Sequence, residues 1–189
     1  MTTRIFENHR VWQLAQDDFL TAACLIAAQE AEHAPAAVLG IARGGVPLAE
    51  IVAEQLGVPA VAVRARHNEP EGIRQAATGR VLLDHEHNQD AFASLPASAR
   101  LLVVDDICGS GATLRAVEDV LAATVSPSEV RTAVLCRNEG SQYPLDIWGW
   151  DVADWVHFPW EPEPQSGRIE ALPPLTGLRS HSKPPGTRA

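Results

Sequence analysis

The 189-residue sequence predicts an α/β fold, an open and mostly parallel sheet flanked by helices. Three observations predict it. Short continuous apolar runs recur at Ala36–Ile41, Val58–Val63, Leu101–Val104 and Val130–Leu135, the pattern of strands covered on both faces. Helix-like segments separate them, so the order strand, turn, helix repeats. Two of the runs lead into Gly-rich turns, the usual place for ligands in such sheets.

Taken in order, Trp12 to about Glu32 reads as a helix, with Leu14, Leu20, Cys24 and Ala27 roughly in register. Ala36–Ile41 is a strand ending in the ARGG turn. Val46–Leu56 is a helix that Gly57 stops. Val58–Val63 is the next strand. Arg64–Gly79 is polar and rich in Arg, Glu, Gly and Pro, and reads as a mobile loop. Arg80–Asp84 is a short strand and His85–Ala99 a connector. The strand Leu101–Val104 leads through Asp105–Gly109 into a helix from about Ser110 to Ala123, and Val130–Leu135 adds a further strand. A turn-rich segment follows to Glu161, holding Trp148, Trp150, Trp155 and Trp160. Seven of the fourteen prolines lie from Pro159 onward. Residues 1–161 are therefore expected to form the domain. The tail, 162–189, is expected to wrap as coil, with its last ten residues disordered.

The net charge of −9 argues against a nucleic-acid partner, which needs a basic face, and against an anionic membrane surface. No apolar run is long enough for a membrane span, and the N-terminus lacks the apolar region of a signal peptide. Three scattered cysteines, Cys24, Cys108 and Cys136, with no CxxC, suit a reduced, cytoplasmic protein without structural zinc. Of fifteen basic residues fourteen are Arg, and the one Lys is Lys183. That removes a Walker A loop and leaves little room for a Schiff-base lysine.

The most informative stretch is LLVVDDICGSGATL, Leu101–Leu114. A buried strand ends in two carboxylates, and small residues open a helix. Gly109, Ser110 and Gly111 let backbone N–H groups approach an oxyanion; Ser110, Thr113 and the helix N-terminus add donors and the positive dipole end. Asp105 and Asp106 would repel that phosphate, so their natural partners are sugar hydroxyls or a metal. The element suits hydroxyls beside a phosphate, as in a ribose 5-phosphate. VVDD also fits a Walker B strand, which here lacks its Walker A partner, or an ordinary strand-to-helix turn. GIARGGVPLAE, Gly40–Glu50, is by itself a Gly-rich turn before a helix, or a site where Arg43 and the neighbouring N–H groups of Gly44 and Gly45 hold a pyrophosphate.

Strand, two acidic residues, a short turn and GSGAT resemble the phosphoribosylpyrophosphate signature of type I phosphoribosyltransferases. ARGG resembles the pyrophosphate loop of the purine members. DWVHFPWE, Asp154–Glu161, resembles the W-(I/V)-x-x-P-W-(D/E) segment of bacterial xanthine–guanine and archaeal purine phosphoribosyltransferases. The resemblance spans roughly Val11 to Glu161. It implies a small acceptor-binding hood built from the terminal segments, and a strained or cis peptide near Ala42–Arg43. It implies Mg²⁺, with Asp105 and Asp106 as the metal-holding and catalytic carboxylates and Arg43 on the leaving pyrophosphate. Gly44, Gly45, Cys108, Gly109, Ser110, Gly111, Ala112 and Thr113 would cradle the donor. Trp155 would stack on the acceptor base, and Val156 would offer backbone groups to its edge. A homo-oligomer is expected. So is closure of Arg64–Gly79 over the site, which excludes water.

Two positions depart from the purine pattern. The acidic residue that faces N7 of the base is here Gly109, and the Lys that contacts O6 is here Arg137. A 6-oxopurine acceptor and a non-purine acceptor, such as a hydroxyl, both remain open, as does a non-catalytic sensor of phosphoribosylpyrophosphate. Outside these motifs, His85-x-His87 is either a metal pair or a solvated hairpin. Cys108 is either a reactive thiol or a small buried filler. His157 points to solvent, packs, or binds a ligand.

Overall fold

The computed structural model describes residues 5–7, 9–67, 81–162 and 167–181. Its main sheet has seven strands among these residues. In chain order they are β2 (Ala37–Ala42), β3 (Ala60–His67), β4 (Val81–Leu83), β5 (Arg100–Cys108), β6 (Glu129–Asn138), β7 (Ile147–Val152) and β10 (Arg179–Ser180). Across the sheet the order is β10-β7-β6-β5-β2-β3-β4. The strands β7, β6, β5, β2 and β3 run parallel; β4 and β10 close the two edges antiparallel. This is the open, mostly parallel sheet that the apolar runs imply.

Four helices among the described residues cover it: α1 (Gln16–Glu30), α2 (Gly45–Leu56), α3 (His85–Ala93) and α4 (Ala112–Thr124). The continuous apolar runs are explained by burial on both sides. Val38, Leu102 and Val104 pack with Phe19, Ala22 and Ile26 of α1 and Leu48 and Val52 of α2. Leu39, Ile41, Leu101 and Val103 pack instead with Phe92 of α3 and Leu114, Val117 and Leu121 of α4. Helix α2 ends as its sequence predicts. Gly57 takes φ +68°, and the Val58 N–H reaches back to the Ala53 carbonyl at 3.0 Å.

A second, three-stranded sheet is built from the ends of the chain, in the order β8-β1-β9, with β1 (Val11–Gln13) parallel to both β8 (Trp155–His157) and β9 (Ile169–Ala171). It packs through Trp12, Val156, Phe158 and Leu172 on the α1–α2 side of the core. The expected hood of terminal segments is therefore present as a sheet.

Several elements differ from the sequence expectation. Trp12 lies in β1 and not in a helix, because its backbone finds two strand partners far along the chain. His85–Ala93 is a helix, although so polar a segment carries little periodic apolar signal. β5 and β6 run on through Cys108 and Asn138, beyond the apolar residues that mark them. Helix α4 begins at Ala112, because Gly111 takes φ +79°. The tail after Pro162 is not simply coil. It contributes β9 to the hood and β10 to the main sheet, and Trp150 Nε1 donates to the Pro173 carbonyl at 2.8 Å. The loop expected over Arg64–Gly79 begins as strand β3; residues 68–80, like 182–189, lie outside the described residues. No helix among the described residues is long and apolar enough to cross a membrane.

Candidate functional site

The site forms where β2 and β5, neighbours in the sheet, reach their carboxyl ends. β2 ends at a cis Ala42–Arg43 peptide, and Gly44 and Gly45 lead at once into α2. Neither glycine has space for a side chain. A β-carbon on Gly44 would overlap the Asp106 carboxylate. One on Gly45 would lie 2.5 Å from the Val104 carbonyl oxygen and 2.9 Å from Asp105 Cα. The glycines thus let the turn lie directly against the two acidic residues. Arg43 is exposed at the head of this turn.

Asp105 and Asp106 are the last acidic groups of β5. Asp106 N–H donates to Asp105 Oδ1 at 2.9 Å, and Ile107 N–H donates to Asp106 Oδ1 at 2.6 Å. Burial pushes the Asp106 carboxyl from 3.8 up to about 6, and the negative charge of Glu161 adds to the rise. Glu161 closes the PWE segment of the hood, so the hood reaches toward the carboxylate. Its own Oε2 accepts the Phe158 N–H at 2.9 Å.

Past the carboxylates, Asp105, Ile107 and Cys108–Leu114 line one depression. Its floor is the turn Gly109–Gly111 and the start of α4. No side chain caps that helix; Ser110 Oγ accepts only a long 3.4 Å bond from Ala112 N–H. Donors at an uncapped helix start suit an anion. Ala112 and Thr113 form its first turn. Cys108 is 2% exposed, with Sγ 3.4 Å from Ser141 Oγ, the environment of a small buried filler.

The residues that the resemblance assigns to the acceptor are placed separately. Arg137 pairs with Cys108 in register at the end of β6. Its guanidinium lies 4.0 Å above the Trp148 ring and reaches Asp151 Oδ1 at 2.7 Å. His181 Nε2 stands 3.5 Å from its other terminal nitrogen. Trp155 and Val156 belong to β8 of the hood. Val156 is 8% exposed in the core, while Trp155 is half-buried and stacks on Phe6, with centroids 4.9 Å apart and planes 18° apart. Phe6 is held there by its neighbours: Ile5 exchanges both backbone hydrogen bonds with the Asn138 amide, at 2.9 and 2.8 Å, and Glu7 N–H donates to the Ala153 carbonyl at 2.9 Å.

Two other sequence candidates fall outside the site. His85 and His87 open helix α3 and not a hairpin, and their side chains lie outside what the structure describes. No group of three or more potential metal ligands of the His, Cys, Asp and Glu type occurs among the described residues. His157 Nε2 contacts the Pro162 carbonyl at 3.0 Å. Sequence reasoning overlooked Phe6, Tyr143 and Asp151, and named Glu161 only as the acidic end of the DWVHFPWE segment. Of the three, only Tyr143 carried a signal, as the single tyrosine of the chain.

The architecture has known counterparts. A purine phosphoribosyltransferase from Pyrococcus horikoshii OT3 superimposes with a TM-score of 0.68 at 20% identity, over 84% of this chain and 99% of that one. A Helicobacter pylori xanthine-guanine-hypoxanthine phosphoribosyltransferase gives 0.63 at 20% identity, over 80% and 93%. A Neisseria gonorrhoeae protein with bound ppGpp gives 0.62 at 20%, over 82% and 92%. At these identities the likeness establishes the fold. The sequence itself goes further: residues 16–166 match the phosphoribosyl transferase domain. With the ARGG turn, the paired carboxylates and the glycine turn gathered at one sheet end, the chain belongs to the phosphoribosyl transferase domain family.

Proposed function

We propose that this enzyme transfers the 5-phosphoribosyl group of phosphoribosylpyrophosphate to a 6-oxopurine base, guanine, xanthine or hypoxanthine, and releases pyrophosphate. The observation that carries the donor half is the contact of Gly44 with the Asp106 carboxylate, because it sets a pyrophosphate loop beside a hydroxyl-binding pair. Arg43 and the N–H groups of Gly44 and Gly45 hold the pyrophosphate. Asp105 and Asp106 hold the ribose hydroxyls. Cys108–Thr113 supply the turn and helix end that receive the 5-phosphate.

In the reaction the bond from C1 of the ribose to the pyrophosphate oxygen breaks, and its electron pair leaves with pyrophosphate. A ring nitrogen of the acceptor forms the new bond to C1 from the opposite face, and the purine proton passes to water, since Gly109 offers no side-chain base. Charge grows on the leaving group, so the guanidinium of Arg43 is worth most in the transition state. The residues present fit Mg²⁺. Two adjacent carboxylates are hard oxygen donors, and burial holds the Asp106 carboxyl above its ordinary range, so a cation beside it would favour the ionised form. When bound there, Mg²⁺ supplies positive charge to the pyrophosphate.

For the acceptor, the half-buried Trp155 ring and the backbone of Val156 support stacking and edge recognition of a flat base. Arg137 supports contact with a carbonyl oxygen, once it shares its guanidinium with Asp151. Gly109 favours a second reading. With no side chain beside the reacting centre, the space left suits a non-purine acceptor. Cys24, Cys108 and Cys136, which form no disulfide with one another, support a cytoplasmic setting. Assay of pyrophosphate release with each purine and with a panel of alcohols separates the two readings: purine-dependent release supports the first, and alcohol-dependent release alone supports the second.

A further inference from the structure

The link between β6 and β7 has no part in the site as described, yet it is fastened to the phosphate turn at two points. Tyr143, in that link, is 2% exposed. Its side chain lies against Gly111, where a β-carbon would stand 2.5 Å from Cγ and 2.7 Å from Cδ2 of the ring. The guanidinium of Arg115 lies 5.2 Å from the ring centroid. The phenol hydrogen-bonds Glu118; burial, with that acidic neighbour, pushes its pKa well above the ordinary value. Arg115 and Glu118 stand about one turn apart on α4, so the ring is gripped by the same helix whose N-terminus opens the site.

The second fastening is Ser141. Its Oγ lies 3.4 Å from Cys108 Sγ, and it accepts the Tyr143 N–H at 3.4 Å. Ser141 N–H donates to the Asn138 carbonyl at 2.8 Å, and Gly140 N–H donates to Asn138 Oδ1 at 3.0 Å. The link therefore runs from the end of β6 to both flanks of the turn, Cys108 on one side and Gly111 on the other.

We propose that Tyr143 is a positioning residue, which holds the Gly109–Thr113 turn in the shape that receives the donor's 5-phosphate. The physical reason is directional. Phosphate is bound there by backbone N–H groups, whose aim depends on the Gly111 conformation. Gly111 has φ +79°, a region open to Gly because it lacks a β-carbon, and Tyr143, with its Cβ nearest and its ring just beyond, fills the space which that β-carbon would need. Removing the ring leaves an aromatic-sized void directly beneath the turn. Interiors relax only in part around such a void, and the N–H groups lose their common focus. The proposal rests on the donor reading given above.

The test is calorimetric titration of Mg²⁺-phosphoribosylpyrophosphate into wild type, Tyr143→Phe, Tyr143→Leu and Tyr143→Ala, with steady-state KM for donor and acceptor alongside. Tyr143→Leu keeps the core filled without a flat ring, and serves if Tyr143→Ala does not fold. Loss of aligned phosphate hydrogen bonds should weaken donor binding about ten-fold or more in Tyr143→Leu and Tyr143→Ala. Acceptor KM should stay within about two-fold, and Tyr143→Phe, which keeps the ring, should restore donor binding. Folded Leu or Ala variants with wild-type donor affinity would overturn the role. So would donor and acceptor constants rising together, or a Phe variant as weak as Ala. A wild type that binds no donor would instead overturn the donor reading, and this role with it.

Discussion

Gly44 and Asp106 are in contact: the α-carbon of one lies where any side chain would strike the carboxylate of the other. Gly44 has φ −67° and ψ −32°, a conformation that alanine adopts freely. The glycine is thus required by the carboxylate and not by the backbone. Gly44→Ala should displace Asp106, cost about 1–3 kcal/mol of stability, the usual cost of overpacking, weaken donor binding, and leave helix α2 formed. Calorimetry with circular dichroism checks it; unchanged donor affinity in the folded variant contradicts it.

Asp106 makes the free enzyme sensitive to pH. Its carboxyl is raised from 3.8 to about 6, so the native state favours the protonated form. The stability that this contributes is full below about pH 4 and is lost as pH rises through 6, an upper bound of about 3 kcal/mol at 1.36 kcal/mol per unit. Asp106→Asn should therefore stabilise the ligand-free protein at pH 7 to 8 and lose that advantage near pH 4. Donor binding runs the other way. It needs the ionised carboxylate, so wild-type affinity should fall as pH drops below about 6. Denaturant titrations of both proteins across this range measure the first effect; a pH-independent difference between them contradicts it.

Arg43 is exposed, so its role should be visible in catalysis without a change in stability. Arg43→Ala should lower kcat/KM by about 10²-fold or more, the scale of removing one preorganised electrostatic stabiliser. Melting temperature should stay close to wild type. Near-normal turnover would make the ARGG turn structural only.

Glu30 offers the opposite case. It is fully buried in α1 and takes two hydrogen bonds from Arg131 of β6, at 2.7 and 2.8 Å, while Asp146 stands 3.3 Å from the same guanidinium. The Glu30 hydrogen bond is the main reason the Arg131 pKa is raised. Glu30→Ala leaves a partly buried guanidinium with reduced compensation and should cost about 3–5 kcal/mol. Urea unfolding measures it. A loss under about 1 kcal/mol would show that Asp146 alone satisfies Arg131.

What the sequence made legible was local. Asp105, Asp106 and the glycines after them sit in one short stretch, and so do Arg43, Gly44 and Gly45; residue type and order state their chemistry. The apolar runs of β2, β3, β5 and β6 are legible because both faces are buried. What was not legible depends on distant partners. Trp12 becomes a strand residue only beside Val156 and Glu170, and Arg179 only beside Trp148. Arg137 could be placed near the acceptor by resemblance, but its bond to Asp151 and its position over Trp148 arise from strand register. The same holds for Tyr143, which no local pattern ties to Gly111.

The central claim is tested most directly by steady-state formation of nucleotide from phosphoribosylpyrophosphate, Mg²⁺ and each of guanine, xanthine and hypoxanthine, with pyrophosphate release measured in parallel. The account predicts purine-dependent release matched by the corresponding purine nucleotide, for at least one of the three. A folded enzyme that binds the donor by calorimetry and forms no nucleotide from any of them would contradict it.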